Sequence, residues 1–190
     1  MNILIMVLLA FFLDLLLGDP HSWPHPVKLI GHLIAWLKKC FNRPNYSSRK
    51  KKWLGALTWL ITVGGSGLIT YIVMKVTTVN YYLYMIVGTY LSYTCISARQ
   101  LAIEAEKIMK SLKQNNLKKA RQQVGMIVGR DTNQLSAEEV TKATIETVAE
   151  NTSDGVIAPL FFLVIGGPVL GIMYKAINTL DSMIGYQNEK

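Results

Sequence analysis

Read for its hydrophobic and polar positions, the chain alternates long apolar runs with basic, polar stretches. Residues 3–17 (ILIMVLLAFFLDLLL) are apolar apart from Asp14 and predict a short first membrane helix. Gly18-Asp19-Pro20 stops that helix, and the proline-rich HSWPHP that follows predicts an ordered irregular loop or re-entrant turn. Over 27–41, Leu29, Leu33, Trp36 and Leu37 share one helical face and Lys28, Lys38 and Lys39 lie off it, the pattern of a helix resting on a membrane surface. After a basic linker at 43–52 comes a second apolar run, 53–73, about 32 Å long at helical rise. Its Gly64-Gly65-Ser66-Gly67 is not followed by Lys-Ser/Thr and reads as close helix packing rather than a phosphate loop. A third run covers 81–98 and opens on an interfacial belt of Tyr81, Tyr82 and Tyr84.

Beyond position 98 the period changes. Leu101, Ala105, Ile108 and Leu112 make one helical stripe, and Leu117, Ala120, Val124 and Ile127 another, with Asn115-Asn116 between them. This predicts a polar helical hairpin within a cytoplasmic region covering 99–155. Ser136 and Glu139 form a capping box that starts a helix to about residue 150, which then ends in Asn-Thr-Ser-Asp-Gly. The last apolar run, 156–173, is broken by Pro159 and by Gly166-Gly167-Pro168. A run this short and this broken predicts a re-entrant segment in preference to a fourth span. The fold class expected is therefore all-α: a polytopic integral membrane protein forming one domain, with a cytoplasmic helical hairpin and a re-entrant segment.

Charge fixes the expected orientation. The 190 residues are 51% hydrophobic yet carry a net charge of +8. Of the 20 Lys and Arg, 8 lie between positions 28 and 52 and 9 between 99 and 142, so charge and apolarity are segregated. By the positive-inside rule both basic regions are cytoplasmic and the N-terminus is outside, as in a multi-pass protein of the cell membrane. No nucleic-acid-binding motif accompanies the basic residues, so no nucleic-acid partner is expected. Cys40 and Cys95 read as reduced thiols. His21 and His25 lack the further ligands a zinc site needs.

The polar groups that could do chemistry concentrate in 129–186. On the predicted helix Glu139, Glu146 and Glu150 fall within about 40° of one another, and Ala143 leaves the stripe sterically open. Capping accounts for Glu139. Glu146 and Glu150 repel one another, and either solvent and salt or Mg²⁺ with a basic partner offsets them. With Asn151 and Asp154 they offer clustered hard oxygen donors of the kind Mg²⁺ shares with substrate phosphates, so Glu146, Glu150 and Asp154 are the candidate metal ligands. Arg130 beside Asp131 in GRDT suits a bidentate anion. Further along, Lys175, Asn178 and Ser182 share a face, with Asp181 on the adjoining one. Asp14 and Asp19 belong to a polar cluster on the same side of the membrane. No Ser-His-Asp, Cys-His or zinc set can be assembled; phosphate handling with magnesium fits the inventory.

These motifs carry a resemblance. DLLLGDP with HPVKLIG, then GRDT, ETVAENTSDGVIAPLFF and YKAINTLDSMIGYQNE, resemble in order the adenosylcobinamide-phosphate synthases, a membrane family of cobalamin biosynthesis. The resemblance implies an ATP-dependent amide-forming ligase that joins aminopropanol, or its phosphate, to the corrinoid adenosylcobyric acid. Activation of the carboxylate as an acyl phosphate is the mechanism expected. In that scheme Glu146, Glu150 and Asp154 hold Mg²⁺, Arg130 and Lys175 hold phosphate, and Asn151, Asn178 and Asp181 meet polar groups of the substrates, with Asp181 counted among the catalytic residues. Membrane lipid and other membrane proteins of the corrinoid pathway are the remaining partners expected. Family members run on well past the point where this chain stops, so an inactive fragment or subunit is one rival reading. A transporter is the other; it would place polar residues at mid-bilayer in repeated halves, and no internal repeat is found.

The orientation is open to direct test. In a chain lacking Cys40 and Cys95, Ser48→Cys and Gln114→Cys should resist an impermeant thiol reagent in intact cells and react once the membrane is opened. Labelling of either from outside would overturn it.

Overall fold

The computed structural model describes residues 2–19, 24–41, 46–129 and 131–185, and these are helical with no strand among them. The elements are α1 (Asn2–Leu17), α2 (Pro26–Phe41), α3 (Ser48–Trp59), α4 (Gly65–Thr77), α5 (Tyr81–Tyr93), α6 (Ala98–Lys113), α7 (Leu117–Gly125), α8 (Ala137–Thr152) and α9 (Ala158–Leu180). A π turn at Leu60–Gly64 joins α3 to α4, a second at Ser153–Ile157 joins α8 to α9, and a third at Asp181–Gly185 follows α9. Two helical stretches, Ser48–Thr77 and Ala137–Gly185, are long and apolar enough to cross a membrane.

The second of these is not straight. Gly166 leaves helical geometry, and Gly167 takes φ +61°, a left-handed conformation that glycine adopts without steric cost. The aromatic rings of Phe162 and Tyr174 then stack with centroids 5.0 Å apart. An unbroken helix would separate residues twelve apart by about 18 Å along its axis. The chain therefore doubles back at Gly166-Gly167, and Leu163 and Ile172 enter the same core.

Two hydrophobic cores result. The larger gathers Val7, Ile34, Val63, Tyr93, Leu163 and Ala176, so that α9 is packed by α1, α2, α4 and α5. Gly67 on α4 permits part of this: a Cβ there would meet Met173 Sδ at 2.7 Å, so small residues do serve close helix approach. The smaller core joins Ile108 of α6 to Ala120 and Val124 of α7 and to Val140 and Ala143 of α8. Apolar surface remains uncovered on several helices; Leu16 is 77% exposed, Ile69 65% and Phe161 61%.

Three expectations need correction. The helix predicted over 81–98 ends at Tyr93 and is 13 residues long, about 20 Å, which is short of a bilayer core. Ala143 is not an open gap beside the glutamates but fully buried against α6 and α7. The Asn-Thr-Ser-Asp-Gly stretch does not end its helix either; the backbone runs on through the π turn into α9.

One set of hydrogen bonds accounts for the first and third of these. In an α-helix the carbonyl of Gly155 would accept from the N–H of residue 159, but that residue is Pro159 and has none. The freed carbonyl instead accepts from the Ser97 N–H at 3.1 Å and from Ser97 Oγ at 3.2 Å. The chain is thus pulled out of α5 and turned into α6. Ser97, occupied there, gives α6 no side-chain cap. The buried Asp14 of α1 takes that role, its Oδ2 accepting from the Arg99 N–H at 3.1 Å.

If this capping holds the molecule together, Asp14→Ala should cost about 1–2 kcal/mol, the usual penalty for losing a helix cap. Asp14→Asn, which keeps an acceptor oxygen, should recover most of that. Unfolding of the detergent-solubilised protein by a denaturing detergent measures both; equal stability of wild type and Asp14→Ala would remove the capping role.

Candidate functional site

The capping box forms as the sequence implies: Ser136 Oγ accepts from the Glu139 N–H at 3.2 Å, and the Glu139 carboxylate accepts from the Ser136 N–H at 2.7 Å. It sets the register of α8. Val140, Ala143 and Thr147 turn inward, which leaves Glu146 and Glu150 on the exposed flank. The reversal at Gly166-Gly167 returns the end of α9 to that flank. The two walls enclose a cleft of about 630 Å³ lined by Glu146, Thr147, Glu150, Asn151 and Asp154 on one side and Asn178, Asp181 and Ser182 on the other. Its rim is the backbone run from Met126 to Gly129. Sequence reasoning passed over that rim, which carries no charge; only the placement of GRDT after it was a signal.

Four carboxylates line this cleft, and among the described residues no lysine or arginine does. Such a surface attracts cations, and a phosphate enters it only with a cation between. Among the described residues no three His, Cys, Asp or Glu side chains converge as a metal-ligating group. Glu146, Glu150 and Asp154 therefore line one cleft without forming a closed metal cage. Mg²⁺ suits that arrangement, since it binds through one or two carboxylates and takes its other oxygens from water and phosphate. Two amides add neutral polarity: Asn151 donates from Nδ2 to the Thr147 carbonyl at 3.0 Å, which fixes its side chain along the helix.

Lys175 does not line the cleft. It lies inward, where the charges of Asp14, Asp154 and Asp19 act on its ammonium, and so faces a second polar cluster. In that cluster Asp14 keeps one buried oxygen, Oδ1, without a hydrogen-bond partner among the described residues. Asp19 Oδ1 stands 3.6 Å from His25 Nε2, an ion-pair contact too long for a hydrogen bond. Burial holds the His25 imidazole below its ordinary pKa, and the Asp19 carboxylate opposes that shift. The Tyr93 hydroxyl donates to the Gly18 carbonyl and the Tyr90 hydroxyl to the Pro24 carbonyl, so α5 grips both ends of the intervening loop. Residues 20–23 of that loop, with His21, lie outside the described residues.

Arg130 also lies outside the described residues. Its neighbour Asp131 is exposed and accepts from the Asn133 N–H at 3.0 Å, away from the cleft lining. Thr132 is buried and donates from Oγ1 to the Arg121 carbonyl at 2.9 Å, while Arg121 Nε donates to the Leu135 carbonyl at 2.7 Å. The end of the GRDT motif thus pins its loop to α7 and holds the cleft's rim.

Comparison with known proteins places the chain in a family. Residues 7–190 match the family described as CobD/Cbib protein. The chain is 55% identical over 182 residues to the cobalamin biosynthesis protein CobD of Listeria monocytogenes, covering 95% of this chain and 58% of the relative. It is 50% identical over 188 residues to the CobD of Streptococcus sanguinis, covering 98% and 58%. It is 41% identical over 183 residues to the cobalamin biosynthesis protein CbiB of Salmonella arizonae, covering 96% and 57%. The chain thus spans somewhat under three-fifths of the length of these relatives. No solved structure matches. With residues 7–190 matched and 95% of its length aligned to a relative 55% identical, the chain belongs to the CobD/Cbib protein family.

Proposed function

We propose that the chain belongs to a membrane-bound, ATP-dependent ligase that joins aminopropanol, or its phosphate, to adenosylcobyric acid by an amide bond. The observation that carries this reading is the single cleft in which Glu146, Glu150, Asn151 and Asp154 face Asn178, Asp181 and Ser182. Forming an amide from a carboxylate and an amine requires the carboxylate to be activated. Its oxygen attacks the terminal phosphorus of ATP, giving an acyl phosphate and ADP. The amine nitrogen then attacks the acyl carbon, phosphate leaves, and the nitrogen gives up a proton.

The side chains divide this work by position and charge. Glu146, Glu150 and Asp154 would hold Mg²⁺, which when bound neutralises the phosphate oxygens that these carboxylates would otherwise repel. Arg130, next in sequence to the lining Gly129, contacts phosphate. Asn151 and Asn178 orient the substrates by hydrogen bonding, and Asp181 takes the amine's proton. Lys175, set behind the lining, acts through Asp154, whose charge it faces. Holding both substrates together supplies much of the rate gain in such a reaction.

The membrane part of the reading rests on the uncovered apolar faces and the two apolar stretches. On it, the doubled-back segment of α9 is re-entrant. The cleft and both basic regions then share the cytoplasmic side, where ATP is available.

Membranes holding this chain, with and without the further length that its relatives possess, should be supplied with adenosylcobyric acid, aminopropanol or its phosphate, and Mg-ATP. Amide product with ADP release is expected in at least the longer form; its absence from both would sink the proposal. In the active form Glu146→Gln and Glu150→Gln should each lower turnover by about 10²-fold or more, as loss of charge-stabilising groups does, with membrane insertion intact. Wild-type turnover in both would mark the two glutamates as a solvated face.

A further inference from the structure

A second groove lies against the catalytic candidate cleft and has the opposite character. It occupies about 470 Å³ between α2, α3 and the end of α9. Phe41, Leu54, Trp59, Ile177, Leu180 and Ile184 line it with apolar surface. Its charged members are Lys38, Lys51 and Asp181, the last of which also lines the carboxylate cleft. Lys38 donates from Nζ to the Met183 carbonyl at 3.2 Å, which sets its ammonium at the end of α9. Among the described residues neither ammonium reaches a carboxylate within ion-pair distance. Lys51 belongs to the run Arg49-Lys50-Lys51-Lys52, which is exposed and stands directly before the apolar length of α3 and α4.

We propose that this groove binds one anionic phospholipid, with an acyl chain along the apolar wall and the headgroup phosphate between Lys38 and Lys51. The assignment rests on the membrane reading above. Three observations select this occupant. Two ammonium groups that meet no carboxylate among the described residues stand over an apolar trough and match the two ends of such a lipid, one anionic and one hydrocarbon. The trough opens outward along α3, where Trp59 of its own wall is 49% exposed. There is also room along its wall, since a Cβ built at Gly55 meets nothing within 4 Å. A corrinoid fits less well, because its ring edge of amides would face a wall of hydrocarbon. Through Asp181 the lipid would sit one side chain away from the carboxylate cleft.

The test uses the whole chain in phosphatidylcholine vesicles, with Trp59 as reporter after Trp23, Trp36 and Trp53 are changed to Phe. Dibrominated phosphatidylglycerol or dibrominated phosphatidylcholine is added at matched fractions and quenching is measured. Phosphatidylglycerol should associate with the Trp59 position several-fold more strongly than phosphatidylcholine. Lys38→Gln and Lys51→Gln should each reduce that preference by about fivefold, while Lys38→Arg and Lys51→Arg retain it. Lys39→Gln with Lys52→Gln, on the neighbouring surface, should leave it unchanged. Gly55→Leu, which fills the trough and leaves both lysines in place, should abolish it. A chain retaining only Trp53 should be quenched by both lipids alike. Equal quenching of Trp59 by the two lipids, or a preference that survives Lys38→Gln and Lys51→Gln, would overturn the proposal. So would an unquenched Trp59 beside a quenched Trp53, which would mean that another segment fills the groove. An unquenched Trp53 would instead overturn the membrane reading.

Discussion

The first turn of α6 has no side-chain cap of its own, and two distant parts of the chain meet there to hold it. Asp14 reaches in from the first helix to accept the Arg99 N–H. The carbonyl of Gly155, at the junction of α8 and α9, accepts from both the backbone and the hydroxyl of Ser97. Each contact satisfies a buried group that would be costly to leave alone. Together they tie the apolar core around α1, α5 and α9 to the smaller core of α6, α7 and α8. The cleft depends on that tie, because one wall stands on α8 and the other on the end of α9.

Charge is sorted in the same way. The carboxylates of α8, Asp154 and Asp181 face the cleft, while Lys175 is buried behind it, within electrostatic reach of Asp14, Asp154 and Asp19. Asp154 belongs to both groups, half-buried between them. The carboxylates of the cleft and of the α6 cap thus both lie within electrostatic reach of one lysine. On the opposite side of Asp181 the surroundings turn apolar and basic. Two chemically unlike concavities are thus separated by a single turn of helix.

Much of this was legible in the sequence because it is local. The capping box Ser136–Glu139 is a four-residue pattern whose partners lie within it, and the break at Gly166-Gly167-Pro168 follows from glycine and proline geometry alone. Once that break is read as a reversal, bringing Asn178 and Asp181 back toward Glu146 and Glu150 follows. What was illegible depends on partners far along the chain. The end of α5 at Tyr93 is set by Gly155, over fifty positions later, in a stretch whose own residues read as continuous helix. Asn-Thr-Ser-Asp-Gly before a proline reads as a stop, and only Ser97 makes its continuation affordable. Lys175 shares a helical face with Asn178, yet the offset of about 60° between them separates an inward position from the cleft lining. The rim from Met126 to Gly129 offered too little side-chain chemistry to be noticed.

The pairing of Gly155, Pro159 and Ser97 also bears on how such a sequence can change. Pro159 frees the carbonyl that Ser97 needs, and the hydroxyl of Ser97 sits 2.7 Å from where a Cβ at position 155 would be. An ordinary residue at 159 would bring back a rival donor, and a side chain at 155 would evict the serine. Neither position is free to drift while the other two stay fixed. The three therefore form one coupled unit spread over about sixty residues of chain, in which a substitution at one position calls for a matching change at another.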